Sequence, residues 1–170
     1  MLEGLKQINC QIHRDHRGIF LETYQRQRYK DQGVEVEFCQ DNHSVSKRGV
    51  VRGMHFQPGQ AKLVMCLKGE ILDVAVDIRP HSKTFGKYEM VHLSDANHHQ
   101  LYIPEGFAHG FCVLSAEAFV IYKVSTFYDP LREGGFRYDD PQVKIPWPVS
   151  QPLVSEKDQQ ACLLQELDLW

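Results

Sequence analysis

Apolar and polar positions alternate over short stretches in the middle of the chain, a pattern that is typical of β-strands. Residues 34–40 alternate strictly, with Val34, Val36 and Phe38 on one face. Residues 71–78 are apolar on both faces apart from Asp73 and Asp77, as expected for a strand of an inner sheet. Further strands are predicted at 88–93, 100–103, 109–114 and 119–125, with clusters of Gly, Pro, Asn and Asp between them.

Helical patterns are confined to two places. Residues 24–30 predict a short, polar surface helix. Residues 155–167 predict a C-terminal helix with Ser155 as its N-cap and an apolar face made of Ala161, Leu164 and Leu167. The proline-rich stretch 141–152 cannot be an inner strand, and we expect it to form an extended strap that leads to this helix.

Many short strands with frequent turn signals predict an antiparallel sandwich or barrel. We expect a mainly β fold of the jelly-roll kind, with a short C-terminal helix, as a single domain over residues 1–170. No linker, repeat or low-complexity segment divides the chain.

The composition excludes several classes of partner. The chain has 170 residues, 42% of them hydrophobic and 24% charged, and a formal net charge of −3, which argues against electrostatic binding to nucleic acid or to a membrane surface. The first residues lack the apolar core of a signal peptide, and no apolar stretch approaches the roughly 20 residues of a spanning helix. The five cysteines are scattered, and we expect buried free thiols in a reducing cytoplasm.

Two histidines lie in β-prone runs next to glycines. They are His55 in Arg52-Gly-Met-His-Phe-Gln57 and His109 in the run 103–111. Between them Lys62 is the only cation in an apolar stretch, where lysine rarely occurs without a partner. An imidazole on a rigid strand transfers protons near neutral pH, so a base, an acid and a fixed cation indicate proton abstraction beside a carbonyl.

Several blocks of sequence together resemble the dTDP-4-dehydrorhamnose 3,5-epimerase family, the RmlC-like cupins. The resemblance runs from about residue 8 to 165. Its blocks are Asp15-His-Arg-Gly-Ile-Phe-Leu-Glu22, Gln40-Asp-Asn-His-Ser44, Arg52–Gln57, Lys62-Leu-Val, Asp73–Arg79, Ile103–Phe111, Tyr122-Lys123, Tyr128-Asp-Pro130, Asp139-Asp-Pro141 and Trp147-Pro148.

The resemblance implies an enzyme that acts on a nucleotide-diphosphate sugar. Members convert a nucleotide-linked 4-keto-6-deoxyglucose to the L-configured sugar by removing a proton beside the keto group and returning one from the opposite face. The keto group is itself the electron sink, so neither a redox cofactor nor a metal is expected. The family also forms homodimers in which N-terminal strands contribute to the partner's sheet and site, and the β-prone opening, residues 8–12, is compatible with that exchange.

The resemblance assigns five residues to the chemistry. It implies that His55 is the base, that Asp158 is the carboxylate paired with it, and that Tyr122 is the acid on the opposite face. It places Lys62 near the keto oxygen and His109 beside the first histidine. Other interpretations exist: Asp158 could serve only the first turn of its helix, Tyr122 could be a packing residue, and His109 a structural residue after a turn.

Seven further residues match contacts of the family to the nucleotide diphosphate. Arginine forks suit phosphate oxygens, and aromatic rings suit a base. The seven are Arg17 and Arg52 for phosphate, Glu22, Gln40 and Asn42 for polar contacts, and Phe20 and Phe127 near the base. The sequence departs from the family at Phe127, where many members have tyrosine, at Met65, which removes a cation close to Lys62, and at Tyr138, where tryptophan is common.

Three alternatives remain open at this point. An epimerase of the same fold could invert a single carbon or act on another nucleotide sugar. A metal-dependent cupin is a second alternative, because Pro104-x-Gly106-x-x-His109 matches the second cupin motif, although His55-Phe-Gln57 leaves the first motif incomplete. A non-catalytic sugar-nucleotide binding module is the third, and the intact set of His55, Lys62 and Tyr122 argues against it.

Overall fold

Two five-stranded antiparallel sheets enclose the central apolar core and confirm the predicted jelly roll. The structure, a computed structural model, describes residues 1–169. Its strands are β1 (Lys6–Asn9), β2 (Ile12–Asp15), β3 (Gly18–Leu21), β4 (Gln40–Lys47), β5 (Val51–Phe56), β6 (Lys62–Lys68), β7 (Glu70–Asp77), β8 (Tyr88–Ser94), β9 (His99–Ile103), β10 (Phe107–Val113), β11 (Glu117–Val124) and β12 (Gly134–Gly135). The first sheet has the order β1-β9-β6-β11-β4 and the second β12-β5-β10-β7-β8, while β2 and β3 form a separate hairpin.

Alternation along each strand decides which side chains face the space between the sheets. In β7, Ile71 and Ala75 belong to the central core, whereas Leu72, Val74 and Val76 pack into a second cluster on the outer face. Asp73 lies between the two inward residues of this strand and is fully buried. In β6, β10 and β11 the same alternation turns Lys62, His109 and Tyr122 to the side that faces the central core, and Asn42 of β4 is the register partner of Tyr122. We call the polar space around these side chains the chamber.

The segment after β12, residues 136–169, covers the outer face of the second sheet. Val143, Ile145 and Leu164 are buried there in the same cluster as Met54 of β5. Residues 141–152 form neither helix nor strand, in agreement with the predicted strap. A parallel bridge between Val50 and Leu153 holds the end of the strap against the start of β5.

The predicted C-terminal helix is much shorter than expected. Helix α2 (Glu156–Gln159) ends after four residues, and a 3-10 turn (Leu164–Glu166) is the only helical element between it and residue 169. The cause is competition for backbone groups: the Cys162 carbonyl accepts from Arg137 N at 2.9 Å, and Leu164 N donates to the buried Asp140 carboxylate at 2.8 Å. These bonds to the body of the protein replace helical ones, so residues 155–167 do not present a single helical face.

Other local predictions need smaller corrections. The predicted strand at 34–40 is wrong, because only Gln40 belongs to a strand, β4. Val34, Val36 and Phe38 instead form an extended segment that packs on the outside of the first sheet with Tyr29. The polar helix exists as α1 (Arg26–Asp31), which begins two residues later than predicted.

The cysteines are free, but fewer of them are buried than predicted. Cys66 and Cys112 are buried, Cys10 is half-buried, and Cys39 and Cys162 are exposed. Within residues 1–169, none of the helices has the length and apolar character required to cross a membrane.

Candidate active site

His55 and Asp158 form a tight dyad at the wall of the chamber. His55 lies on β5 and Asp158 in α2, and His55 Nε2 is 2.6 Å from Asp158 Oδ1. Ser155 caps α2 by accepting from Asp158 N at 3.1 Å, so the cap fixes the turn that presents the carboxylate. Burial opposes ionisation of Asp158, but the hydrogen bonds from His55 and from Gly53 N outweigh it and lower its pKa.

A close backbone approach lets the dyad form. Gly53, two residues before His55, has φ +132°, and a Cβ there would lie 2.6 Å from the Cα of Gly110. Gly53 N points at Asp158 Oδ2, at 3.4 Å. A side chain at position 53 would push β5 away from β10 and displace His55 from the carboxylate.

Lys62, His109 and Asp73 form a second charged group deeper in the chamber. His109 on β10 donates from Nε2 to Asp73 Oδ1 on β7 at 2.7 Å, and Lys62 Nζ donates to the His55 carbonyl at 3.4 Å. Burial lowers the pKa of Lys62 to about 8, against the attraction of Asp73 and Glu133. Burial also lowers the pKa of His109, against the attraction of Asp73, which favours a neutral ring.

Tyr122 lies across the chamber on the first sheet. It is paired with Asn42 on one side and with Val64 on the other, so Asn42 lies beside it. Burial raises the pKa of Tyr122, against the effect of Arg52, and the phenol therefore stays protonated. Arg52 Nε donates to Ser46 Oγ at 3.0 Å, which fixes a guanidinium at the mouth of the chamber.

The loop between β11 and β12 borders the same opening. Gln40 donates to Asn42 Oδ1 at 2.8 Å and accepts from Tyr128 N at 3.0 Å. Glu133 in this loop accepts from Lys157 and, at 3.3 Å, from Tyr128 OH. Beside the dyad is a cleft of about 470 Å³, lined by residues that include Arg52, His55, Lys157 and Asp158.

The structure does not bring every predicted residue to this chamber. Arg17 and Phe20 lie on the β2–β3 hairpin, where Arg17 pairs with Asp15 at 2.6 Å and Phe20 is 71% exposed. Glu22 follows the hairpin and pairs with Arg28 at 3.1 Å. Among residues 1–169, no hydrogen bond, ion pair or ring contact joins the hairpin to the chamber. Phe127 is near the opening but is also 71% exposed.

The two other departures from the family lie outside the chamber. Met65 is on the outer face of the first sheet, opposite to Lys62, and its Sδ is 3.5 Å from Gln100 Nε2. The expectation that residue 65 affects the surroundings of Lys62 is therefore wrong. Tyr138 packs in the outer cluster of the second sheet.

Three polar residues of the chamber were not predicted from the sequence. Asp73 had a visible signal, since it is a carboxylate in a run that is apolar on both faces. Lys157 is adjacent to Asp158, but nothing in its spacing marks it. Glu133 lies in a polar loop, and only its ion pair with Lys157 in the folded chain indicates that it belongs to the site.

Comparison with known proteins identifies the family. The family described as dTDP-4-dehydrorhamnose 3,5-epimerase matches residues 1–166. The chain belongs to this family. A dTDP-4-dehydrorhamnose 3,5-epimerase from Shigella flexneri is 52% identical over 148 residues, which cover 85% of this chain and 82% of the relative.

Further members of the epimerase family show both its structure and its diversity. The crystal structure of a dTDP-6-deoxy-D-glucose-3,5-epimerase from Legionella pneumophila, in complex with dTDP-4-keto-L-rhamnose, is 48% identical with a TM-score of 0.93 and covers 96% of this chain and 89% of that chain. A dTDP-4-dehydrorhamnose 3-epimerase from Streptomyces niveus is 44% identical and covers 97% of this chain and 82% of the relative.

Proposed function

We propose that this protein epimerises dTDP-4-dehydro-6-deoxy-D-glucose at C3 and C5 to give dTDP-4-dehydro-L-rhamnose, without a cofactor. The observation that carries the proposal is the His55–Asp158 dyad, which shares one chamber with a buried lysine and a protonated tyrosine. This set provides a base, an acid and a cation for an enolate oxygen. The names of the Shigella and Legionella relatives support the same reaction.

Each residue has a definite role in the proposed reaction. His55 takes the proton from the carbon beside the keto group, and the C–H electron pair moves to the keto oxygen to form an enolate. Lys62 stabilises that oxygen, with His109 next to it. Tyr122 then donates its proton to the opposite face of the same carbon, and the carbonyl re-forms. Exchange with water restores the protonation states of His55 and Tyr122.

The nucleotide diphosphate is proposed to lie across the mouth of the chamber. Arg52 and Lys157 supply positive charge there, and Gln40 and Asn42 supply polar contacts near the Phe127 segment. Arg17, Phe20 and Glu22 lie apart from this set in the single chain, and they complete it when they come from a second chain.

We therefore propose a homodimer in which the N-terminal hairpin of one protomer reaches the site of its partner. The hairpin pairs with no other strand of residues 1–169, and β1 is the edge strand of its sheet. We also propose that the protein works in the cytoplasm, since its five cysteines are free.

Incorporation of solvent deuterium into the substrate tests the reaction. We expect the protein in deuterated water to introduce two deuterium atoms into dTDP-4-keto-6-deoxyglucose, one at C3 and one at C5, as measured by mass spectrometry. His55→Ala should abolish this uptake, whereas His92→Ala, which removes an exposed histidine on β8, should not.

The alternatives give different results in the same assay. Uptake of one deuterium would indicate a single-centre epimerase, an alternative supported by the name of the Streptomyces niveus relative. No uptake would contradict the proposal. A stoichiometric iron, zinc or manganese content that activity requires would contradict cofactor independence.

A further inference from the structure

Asp73 is a buried carboxylate of the chamber whose negative charge is only partly balanced by its neighbours. Its side chain is 0% exposed, and Oδ1 accepts from His109 Nε2 at 2.7 Å. Oδ2 has no hydrogen-bond partner within residues 1–169. A buried carboxylate is costly unless a positive charge balances it, and a hydrogen bond from a neutral imidazole balances it only in part.

Lys62 is a buried cation that likewise lacks an ion-pair partner within residues 1–169. It is 8% exposed, and its Nζ makes one long hydrogen bond, 3.4 Å, to the His55 carbonyl. Within residues 1–169, no carboxylate oxygen lies in ion-pair contact with this nitrogen. The His55 carbonyl that holds Lys62 belongs to the register partner of His109, and His109 in turn binds Asp73. Lys62 and Asp73 therefore approach the same point of the second sheet without touching, and burial leaves the attraction between their charges weakly screened.

The other charged groups that face the chamber each have a hydrogen-bond or ion-pair partner. Asp158 of α2 is bonded to His55 of β5, and Glu133, before β12, is paired with Lys157. Tyr122 of β11 has a raised pKa and is neutral, and Arg52 of β5 bonds to Ser46 at the mouth. Within residues 1–169, Asp73 of β7 and Lys62 of β6 are the two buried charges of the chamber without a direct charged partner, since burial favours a neutral His109 on β10.

We propose that Asp73 is a positioning residue whose enclosed carboxylate keeps Lys62 in its ammonium form. This inference rests on the proposed function, in which an ammonium group stabilises the enolate oxygen and a neutral amine would not. Asp73 acts through Lys62 and need not touch the substrate.

The variant Asp73→Asn removes the charge with little change in shape. The amide oxygen of the new side chain still accepts from His109, and its NH₂ occupies the place of Oδ2, which has no partner to lose. In protein labelled with ¹³C-lysine, the titration of Lys62 is followed by NMR without substrate, and its signal is assigned by its loss in Lys62→Arg. We expect the midpoint to fall from about 8 by about one pH unit or more.

Two control variants test whether the shift of the Lys62 midpoint is specific to Asp73 or follows the loss of any nearby carboxylate. Glu70 lies on the same strand as Asp73, but its carboxylate pairs with the exposed His92. Glu70→Gln should therefore leave the titration midpoint of Lys62 unchanged. Glu133→Gln should lower the midpoint less than Asp73→Asn does. A fall of one unit or more in Glu133→Gln would contradict the proposal, even if Asp73→Asn failed to fold.

The kinetics provide the second measurement. In Asp73→Asn, the basic limb of the kcat profile should move to lower pH, so the loss relative to wild type is larger at pH 8 than at pH 6. An unchanged Lys62 midpoint, or a kcat loss equal at all pH values, would overturn the proposal. The NMR titration needs no turnover, so it tests the effect of Asp73 on Lys62 separately from the reaction. A protein that failed to exchange deuterium would refute the proposed function but would leave the titration result valid.

Discussion

His55 can act as a base only through the ring nitrogen that does not face Asp158. A carboxylate accepts hydrogen bonds and donates none, so the contact of 2.6 Å places the imidazole proton on Nε2. Nδ1 then carries the lone pair and can take a proton from the substrate. The same carboxylate favours the imidazolium that forms, because its lowered pKa keeps it ionised at neutral pH.

Replacement of Asp158 by Asn should disable the base without removing it. The amide can donate to Nε2 and so stabilise the tautomer in which Nδ1 carries the proton. We expect Asp158→Asn to lower kcat by about 10²- to 10⁴-fold with a small change in KM, measured by steady-state kinetics and deuterium uptake. Glu156→Gln, which removes an exposed carboxylate from the same helical turn, should change neither parameter. A pure KM effect of Asp158→Asn would contradict the role.

The residues that could be predicted are those whose chemistry stands out from their surroundings. His55, Lys62 and His109 are polar groups in β-prone runs, and the resemblance added Tyr122 and Asp158. Glu133 and Lys157 could not be predicted, because their ion pair joins segments that only the folded chain brings together. The role of Asp73 could not be predicted either, because it depends on a contact with His109, 36 residues away in the sequence.

Among the elements, the loop after β7 is held by one buried carboxylate. Asp77 is 0% exposed and accepts from Arg79 Nη2 at 2.7 Å and from the hydroxyls of Ser82 and Thr84, each at 2.6 Å. Burial alone would raise its pKa, but these bonds lower it far below the usual range. The charged form is therefore the one that the fold stabilises.

We expect Asp77→Asn to reduce the free energy of unfolding by about 2 kcal/mol at pH 7, since charge-assisted bonds become neutral ones. A depressed folded-state pKa adds stability above the unfolded-state pKa of about 4 and loses it as the pH falls below that value. The difference between wild type and variant should thus shrink between about pH 4 and pH 2, as measured by denaturant unfolding.

An exposed pair of the same shape is the matched control for this prediction. Asp139 binds the fork of Arg137 at 2.7 and 2.8 Å, but its side chain is 40% exposed. Asp139→Asn should cost about 0 to 1 kcal/mol, because water screens the pair. If both variants lost the same stability, burial of Asp77 would not be the cause.

Elements were predictable where the local pattern agreed with the long-range bonds. The run of residues 71–78, apolar on both faces, predicted β7 well, because a strand of an inner sheet is buried on both sides. Residues 34–39 alternate strictly but form no strand, since their apolar side chains pack with Tyr29 of α1 on the outside of the first sheet. The C-terminal helix was overestimated because the bonds of Cys162 and Leu164 to distant residues cannot be read from a local pattern.

At the scale of the whole molecule, a single chain separates the proposed catalytic residues from part of the proposed nucleotide site. The chamber holds His55 and Lys62, while Arg17 and Phe20 project on a hairpin with exposed side chains. Two arrangements would reunite them: the hairpin folds back on its own chain, or it enters the chamber of a second copy. A hairpin that pairs with no other strand of residues 1–169 favours the second arrangement.

Complementation between two inactive variants distinguishes these arrangements. One variant carries His55→Ala, and the other carries Arg17→Ala with Phe20→Ala. If hairpins are exchanged, each mixed dimer contains one site with an intact base and an intact hairpin. After denaturation and refolding together in equal amounts, about half of the dimers are mixed, so activity should recover to about one quarter of that of wild type. With hairpins folded on their own chains, every site keeps one defect, and the mixture would stay inactive. The same variants refolded separately and then assayed together are the control.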